Sequence, residues 1–312
     1  MKHARFAFPA AGAIAAALLL AAGCDAYEAA GVEQQYVVEA YLRAGDTLPP
    51  VRLSRTAPVG ATYDFAEQAV SGAEVQVQRV DAEEASPVRY TERPDSAGVY
   101  RPAEDAVTVQ PLARYRLRVR PPAGDGIGAE TVTAETVVPG PFRIVETSGD
   151  TLVWQQDELR ATITQSEYPG RRARFLVSTT ALVPARENLT PLAAQIIDRS
   201  GEDGPGLADL AVTESPVING GNYELSARGT LTIDIPWLVA NFYGPNEIAV
   251  RALDENYYDL VRSQAAQQGG STFSPGEIPN VIERVEGGTG LFGSYAAATY
   301  RLQVTRGADG GQ

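Results

Sequence analysis

The sequence predicts a mainly β protein: an N-terminal immunoglobulin-like β-sandwich followed by a larger β-sandwich domain with one helix. Three observations predict it. Six or seven short β-branched or alternating runs fall between residues 35 and 139, Gly, Pro and Asp punctuate them, and one segment alone carries a clear helical period.

The first domain is read over 35–139. Gln35 to Leu42 is β-branched and aromatic, Val51 to Thr56 is a second run, and Ala73 to Val80 puts Val75 and Val77 on one face with polar residues between. Val88 to Thr91, Gly98 to Arg101, Arg114 to Arg120 and Thr131 to Val138 continue the pattern. In Arg114 to Arg120 the side chains of Tyr115, Leu117 and Val119 alternate with arginines, so one face of that strand is dry and the other charged. Val138-Pro139-Gly140-Pro141 reads as a hinge, because neither proline can donate to a ladder.

The second domain is read over 140–306. Its strand candidates are Phe142 to Glu146, Thr151 to Gln155, Leu159 to Gln165, Ala173 to Thr180, Thr230 to Pro236, Asn246 to Leu253 and Ala297 to Val304. Between Leu182 and Tyr223 the chain is rich in Gly, Pro and Asp and reads as a long excursion, with Leu192 to Asp198 as a short strand or turn. The helix is expected near 254–268. Asp254 caps it, Glu255 supports the first turn, Tyr257, Leu260, Val261, Gln264 and Ala265 share a face, and Gly269 closes it. Residues 307–312 read as a flexible tail.

Residues 1–23 read as a secretion signal: Lys2, His3 and Arg5 lead an apolar run from Ala10 to Leu20, and Ala21-Ala22-Gly23 supplies the small residues of a cleavage site. The run falls short of the ~20 residues that span a bilayer. Cys24, the only cysteine, follows directly, and the arrangement resembles the lipobox of bacterial lipoproteins. Cys24 is then the lipidation site and the mature N-terminus, with 24–34 as a tether. The expected location is the cell envelope, lipid-anchored at the outer membrane and facing the periplasm or the surface.

Cleavage there leaves no histidine, lysine or methionine, since His3, Lys2 and Met1 are the only ones. A Ser-His-Asp triad, a Cys-His pair, a Ser-Lys dyad and a Schiff-base lysine are thereby excluded from the mature chain, as are histidine or thiolate metal sites. Carboxylates, hydroxyls, tyrosine and arginine remain. The reading is therefore of a non-enzyme without cofactor or metal; an enzyme built from these residues would be a two-carboxylate hydrolase or use a hard-metal site with oxygen ligands. Loss of Lys2 and Arg5 leaves 24 basic against 39 acidic residues, a field that repels nucleic acid.

Candidate chemistry is sparse. Gly288 to Gly293 has the G-x-G-x-x-G spacing of a dinucleotide-binding turn, but a strand pattern rather than a helix follows it and only 19 residues follow Gly293, so it reads as a tight glycine turn with Phe292 and Tyr295 packing on a sheet. Acid pairs occur at Glu83-Glu84, Glu104-Asp105, Asp157-Glu158, Glu202-Asp203 and Asp254-Glu255, mostly in turns, and Glu202 to Asp209 matches a calcium loop in composition only. Aromatic residues concentrate in the C-terminal half. Most are expected in the core; Trp237, Phe242, Tyr243, Phe292 and Tyr295 are the candidates for a partner-binding surface.

Several segments in order resemble one family. Tyr36 to Leu42, Val51 to Thr56, Val70 to Val75, Gly98-Val99-Tyr100, Tyr115 to Val119 and Val138-Pro139 are similar to the opening of the lipoprotein family called domain of unknown function 4249, and Phe273 to Asn280 with Gly287 to Gly293 resemble its closing signature. The resemblance implies an outer-membrane-associated lipoprotein of Bacteroidetes and relatives, often encoded with TonB-dependent receptors, and carries over no catalytic residue. The function expected is that of a binding partner of such a β-barrel transporter. The alternative is a stand-alone carbohydrate- or peptide-binding surface lipoprotein.

Overall fold

The computed structural model describes residues 34–267 and 284–307, apart from 59, 104–106, 125 and 202–203. The signal segment, Cys24 and all but the last residue of the tether lie outside the described residues, as do Glu104-Asp105, Glu202-Asp203, the stretch from Phe273 to Asn280 and most of the tail. The fold is mainly β, as the alternation predicts. Seven strands, β1 (Tyr36–Arg43), β2 (Val51–Arg55), β3 (Glu74–Arg79), β4 (Val88–Arg93), β5 (Ser96–Pro102), β6 (Arg114–Arg120) and β7 (Val132–Val137), are hydrogen-bonded in the order β1-β2-β5-β4-β3-β6-β7. Their alternate residues make the first core. In β6, Tyr115, Leu117 and Val119 point into it and Arg114, Arg116, Arg118 and Arg120 point out, each inward side chain contributing about 2 kcal/mol by leaving water. A one-turn helix, α1 (Phe65–Gln68), is capped by Asp64, whose Oδ1 accepts from the amide of Ala66 at 2.7 Å.

The second unit contains β8 (Ile144–Thr147), β9 (Thr151–Val153), β10 (Leu159–Thr164), β11 (Arg174–Ala181), β12 (Val212–Glu214), β13 (Ile218–Asn219), β14 (Thr230–Ile235), β15 (Gly244–Leu253) and β17 (Thr289–Thr305), whereas β16 (Val285–Glu286) returns to pair with β7. A three-stranded sheet, β14-β10-β8, covers the face of β11, β15 and β17. The second core forms between them, with Leu231, Ile233 and Ile163 on one side and Phe175, Val250 and Leu302 on the other.

The two units share one strand. The first half of β17 pairs in parallel with β1, from Val37 opposite Thr289 to Arg43 opposite Tyr295, and its second half pairs antiparallel with the whole of β15. Val285, on β16 beside β7, and Phe292, on β17, pack in the first core, although they lie far beyond residues 138–141 in the chain. Glycines permit this passage. Gly287 and Gly290 have φ of 75° and 105°, a Cβ on Gly288 would lie 2.6 Å from the Tyr36 carbonyl oxygen, and one on Gly290 would collide with the backbone of Val38. Gly287 and Gly288 thus make the turn between β16 and β17, as the spacing suggests, whereas Gly290 and Gly293 lie within β17 as a seam against β1.

The excursion from Leu182 to Tyr223 holds two helices, α2 (Pro191–Ser200) and α3 (Leu207–Leu210), before laying β12 and β13 along β11. The segment read as a short strand or turn is helix α2. Pro191 at its first position fixes a helical φ where no amide donor is needed, and Gly201 with φ 65° ends it; these outweigh the β preference of Ile196 and Ile197. Helix α4 (Glu255–Gln267) lies where its cap and period place it. None of the described helices is long and apolar enough to cross a membrane.

Candidate functional site at the head of helix α4

Helix α4 begins where β15 ends, and its first turn docks on β17 and β7. Asp254 is 1% exposed. Its amide donates to the Ser294 carbonyl at 3.0 Å, its Oδ1 accepts from the Tyr257 amide at 2.8 Å, and its Oδ2 accepts from the Thr136 hydroxyl at 2.6 Å. Thr136 Oγ1 lies 2.6 Å from Ser294 Oγ, which donates to the Val137 carbonyl at 3.1 Å. Burial pushes the Asp254 carboxyl up to about 6, against the opposing pull of these donors.

The next residue meets the opposite environment. Burial raises the pKa of Glu255, but hydrogen bonds from Arg171 Nε at 2.8 Å and Arg174 Nη1 at 2.9 Å outweigh it and hold the carboxylate below its ordinary range. These guanidiniums also lie over the rings of Tyr168 and Tyr258, at 4.0 and 3.7 Å. The Asp254-Glu255 pair is therefore committed to capping and docking the helix. Of the other acid pairs, Asp157 accepts from the Val153 amide at 2.7 Å, and Glu83 and Glu84 are exposed. Among the described residues no group of three or more His, Cys, Asp or Glu could hold a metal ion.

Beside the helix head opens a cleft of about 720 Å³, whose lining includes Arg116, Arg118, Glu135, Asn256, Arg284 and Glu286. Strand β6 presents its outward arginines to it, β7 supplies Thr133 and Glu135, and α4 supplies Asn256, whose Nδ2 donates to the carbonyls of Glu135 at 2.6 Å and Phe292 at 2.8 Å. Arg284 donates from Nε and Nη2 to one oxygen of Asp259, at 2.9 and 2.7 Å, and the Asp259 side chain is only 4% exposed. These contacts tie the walls to the helix. They also cover an edge: β16 pairs with β7 only at Thr133 and Ala134, and Asn256 occupies the Glu135 carbonyl beyond.

The five aromatic candidates do not form one face. Phe242 and Phe292 are each 1% exposed, so these two fill space inside the molecule and present nothing to a partner. Trp237 and Tyr243 come together around Trp154, with ring centroids at 4.9 and 6.1 Å, on the margin of the second core. Tyr295 stands apart beneath helix α4, edge-on to Tyr257 at 6.2 Å, and Tyr257 in turn meets Tyr41 at 5.2 Å. Large rings in alternating strand positions follow the core. The residues that sequence reasoning missed, Thr136, Ser294, Asp259 and Arg284, are small or polar positions joined only by the fold.

The family model described as Domain of unknown function (DUF4249) matches residues 25–301, and the chain belongs to that family. No curated protein matches the chain. Among solved structures, the mouse nectin-like molecule 4 full ectodomain (Ig1-Ig3) is 12% identical with a TM-score of 0.17, over 90% of this chain and 67% of that one. The chicken CNTN1 FN1-FN3 domains are 11% identical with a TM-score of 0.17, over 86% of this chain and 66% of that one.

Proposed function

We propose that this member of the family is a lipid-anchored, non-enzymatic protein of the bacterial envelope that serves as accessory partner of an outer-membrane TonB-dependent transporter. Cys24 carries the lipid, and the body behind it presents a surface. The observation that supports a partner most directly is where large apolar side chains reach solvent. Of the ten exposed ones among the described residues, five (Leu182, Val183, Leu192, Ile196 and Val212) lie in the excursion that ends on the outer edge of β11. Leu192 and Ile196 stand four residues apart on α2, so they share one helix face.

Gentle detergent extraction followed by affinity purification is the test. The expected result is stoichiometric recovery of a TonB-dependent β-barrel with the native chain, reduced at least tenfold for the Leu192→Glu/Ile196→Glu double variant. Recovery of the isolated monomer alone would overturn the reading. The arginine-lined cleft favours a second reading, a stand-alone surface protein that captures a ligand of its own; saturable ligand binding by a chain that recovers no barrel selects it.

A further inference from the structure

On the outward face of β6 four arginines stand in a row, and three of them have carboxylate partners. Glu135 takes Arg114 at 3.6 Å and Arg116 at 2.6 Å, and Glu74 takes Arg120 at 3.4 Å. Arg118 stands between them and has no ion pair or hydrogen bond from its side chain among the described residues. The register explains why: its neighbours across the ladder are Gln76 on β3 and Thr133 on β7, both uncharged. Every arginine of the row is matched to a carboxylate except the one between the two pairs.

Arg118 also lines the cleft, and the two other guanidiniums there are held in place. Arg116 gives Nε and Nη2 to Glu135 Oε1, and Arg284 gives Nε and Nη2 to the buried Asp259, which leaves Nη1 of each without a hydrogen bond among the described residues. A carboxylate that fixes one edge of a guanidinium orients its remaining donors without neutralising the geometry. The cleft therefore offers one whole fork, Arg118, and two oriented donors, Arg116 Nη1 and Arg284 Nη1. Its volume of about 720 Å³ is of the size that takes a small molecule.

We infer that this cleft is a binding site for a small acidic solute carrying several carboxylate or phosphate groups, with the Arg118 fork as its principal contact and Arg116 and Arg284 as the flanking donors. The carboxylates in the walls set the specificity. Glu135 and Glu286 line the same cleft and repel an anion that runs along them, so a compact multivalent ligand is favoured over an extended polyanion. The inference is independent of the lipid anchor and of any transporter partner.

The test is titration calorimetry on the chain from residue 25 onward, since among the described residues both cores are built from Tyr36 to Val304. Citrate and tripolyphosphate are the probes, at low and fixed ionic strength. Saturable one-to-one binding of at least one is expected, weakened at least tenfold by Arg118→Gln and unchanged by Arg101→Gln, which removes the same charge from an exposed position outside the cleft. The tighter probe identifies the oxyanion as carboxylate or phosphate. Absence of saturable heat with both probes, or an equal loss in the two variants, would overturn the inference.

Discussion

The polar groups at the head of α4 and those in the adjoining cleft are built from the same kinds of residue, yet one set is closed upon itself and the other is open. At the helix head, Asp254, Thr136 and Ser294 are each at most 3% exposed, and every hydrogen bond they make ends on another group of the protein. In the cleft, Arg118 faces solvent with no partner among the described residues, and Arg116 and Arg284 are only partly used. Buried polar groups that satisfy one another fix geometry. Charged groups left over at a surface supply recognition instead. The two sets share β7 and α4, so the closed one holds the walls of the open one in register.

Replacing Gly290 with Val should break both at once and have the largest effect. The new Cβ would collide with the backbone of Val38 at a position with φ 105°, forcing β17 away from β1 and disturbing Ser294 four residues on. A loss of about 3 kcal/mol or more in urea-unfolding free energy is expected; a loss under 1 kcal/mol would mean that the seam is not required.

The second effect belongs to the helix head and is read by pH. The folded-state pKa of Asp254 is raised from 3.8 to about 6, so the folded chain binds a proton that the unfolded chain has released. The associated stability is fully present below pH ~4 and lost as pH rises through about 6, amounting to as much as about 3 kcal/mol by neutral pH. Glu255 and Glu92 have lowered pKa values and act in the opposite sense at more acid pH, losing their contribution as pH falls through their folded values. Asp254→Asn should flatten the profile between pH 4 and 7. A variant whose unfolding free energy keeps the native slope over that window contradicts the assignment.

The smallest effect on stability belongs to the cleft. Arg118→Gln should change the unfolding free energy by no more than about 0.5 kcal/mol, because an exposed arginine without a partner contributes little to the fold. Thermal melting and urea curves that overlay the native ones would separate a recognition residue from a structural one.

Much of the fold was legible in the sequence because strands with one wet face alternate. Arg114 to Arg120 announces both its strand and its two faces, and Asp254 announces the start of α4. What escaped depends on residues that meet only after folding. Thr136 lies 118 positions from Asp254 and 158 from Ser294, and none of the three differs locally from an ordinary strand or cap residue. The glycines from 287 to 293 were legible as backbone without side chains, but whether that served a turn or a close strand approach depended on β1, some 250 residues away. Arg118 could not be told from its three neighbours until the register placed Gln76 and Thr133 beside it.

The parallel pairing of β1 with β17 has a mechanical consequence. A pull on the chain ahead of Tyr36 runs along the axis of β1, which lies between β17 on one side and β2 on the other. Seven residue pairs with β17 and four with β2 are then loaded together in shear, whereas a strand drawn off sideways would yield one pair at a time. Tension entering at Tyr36 is thus met in shear, and the longer of the two partners that share it, β17, is the strand that runs on into the second core.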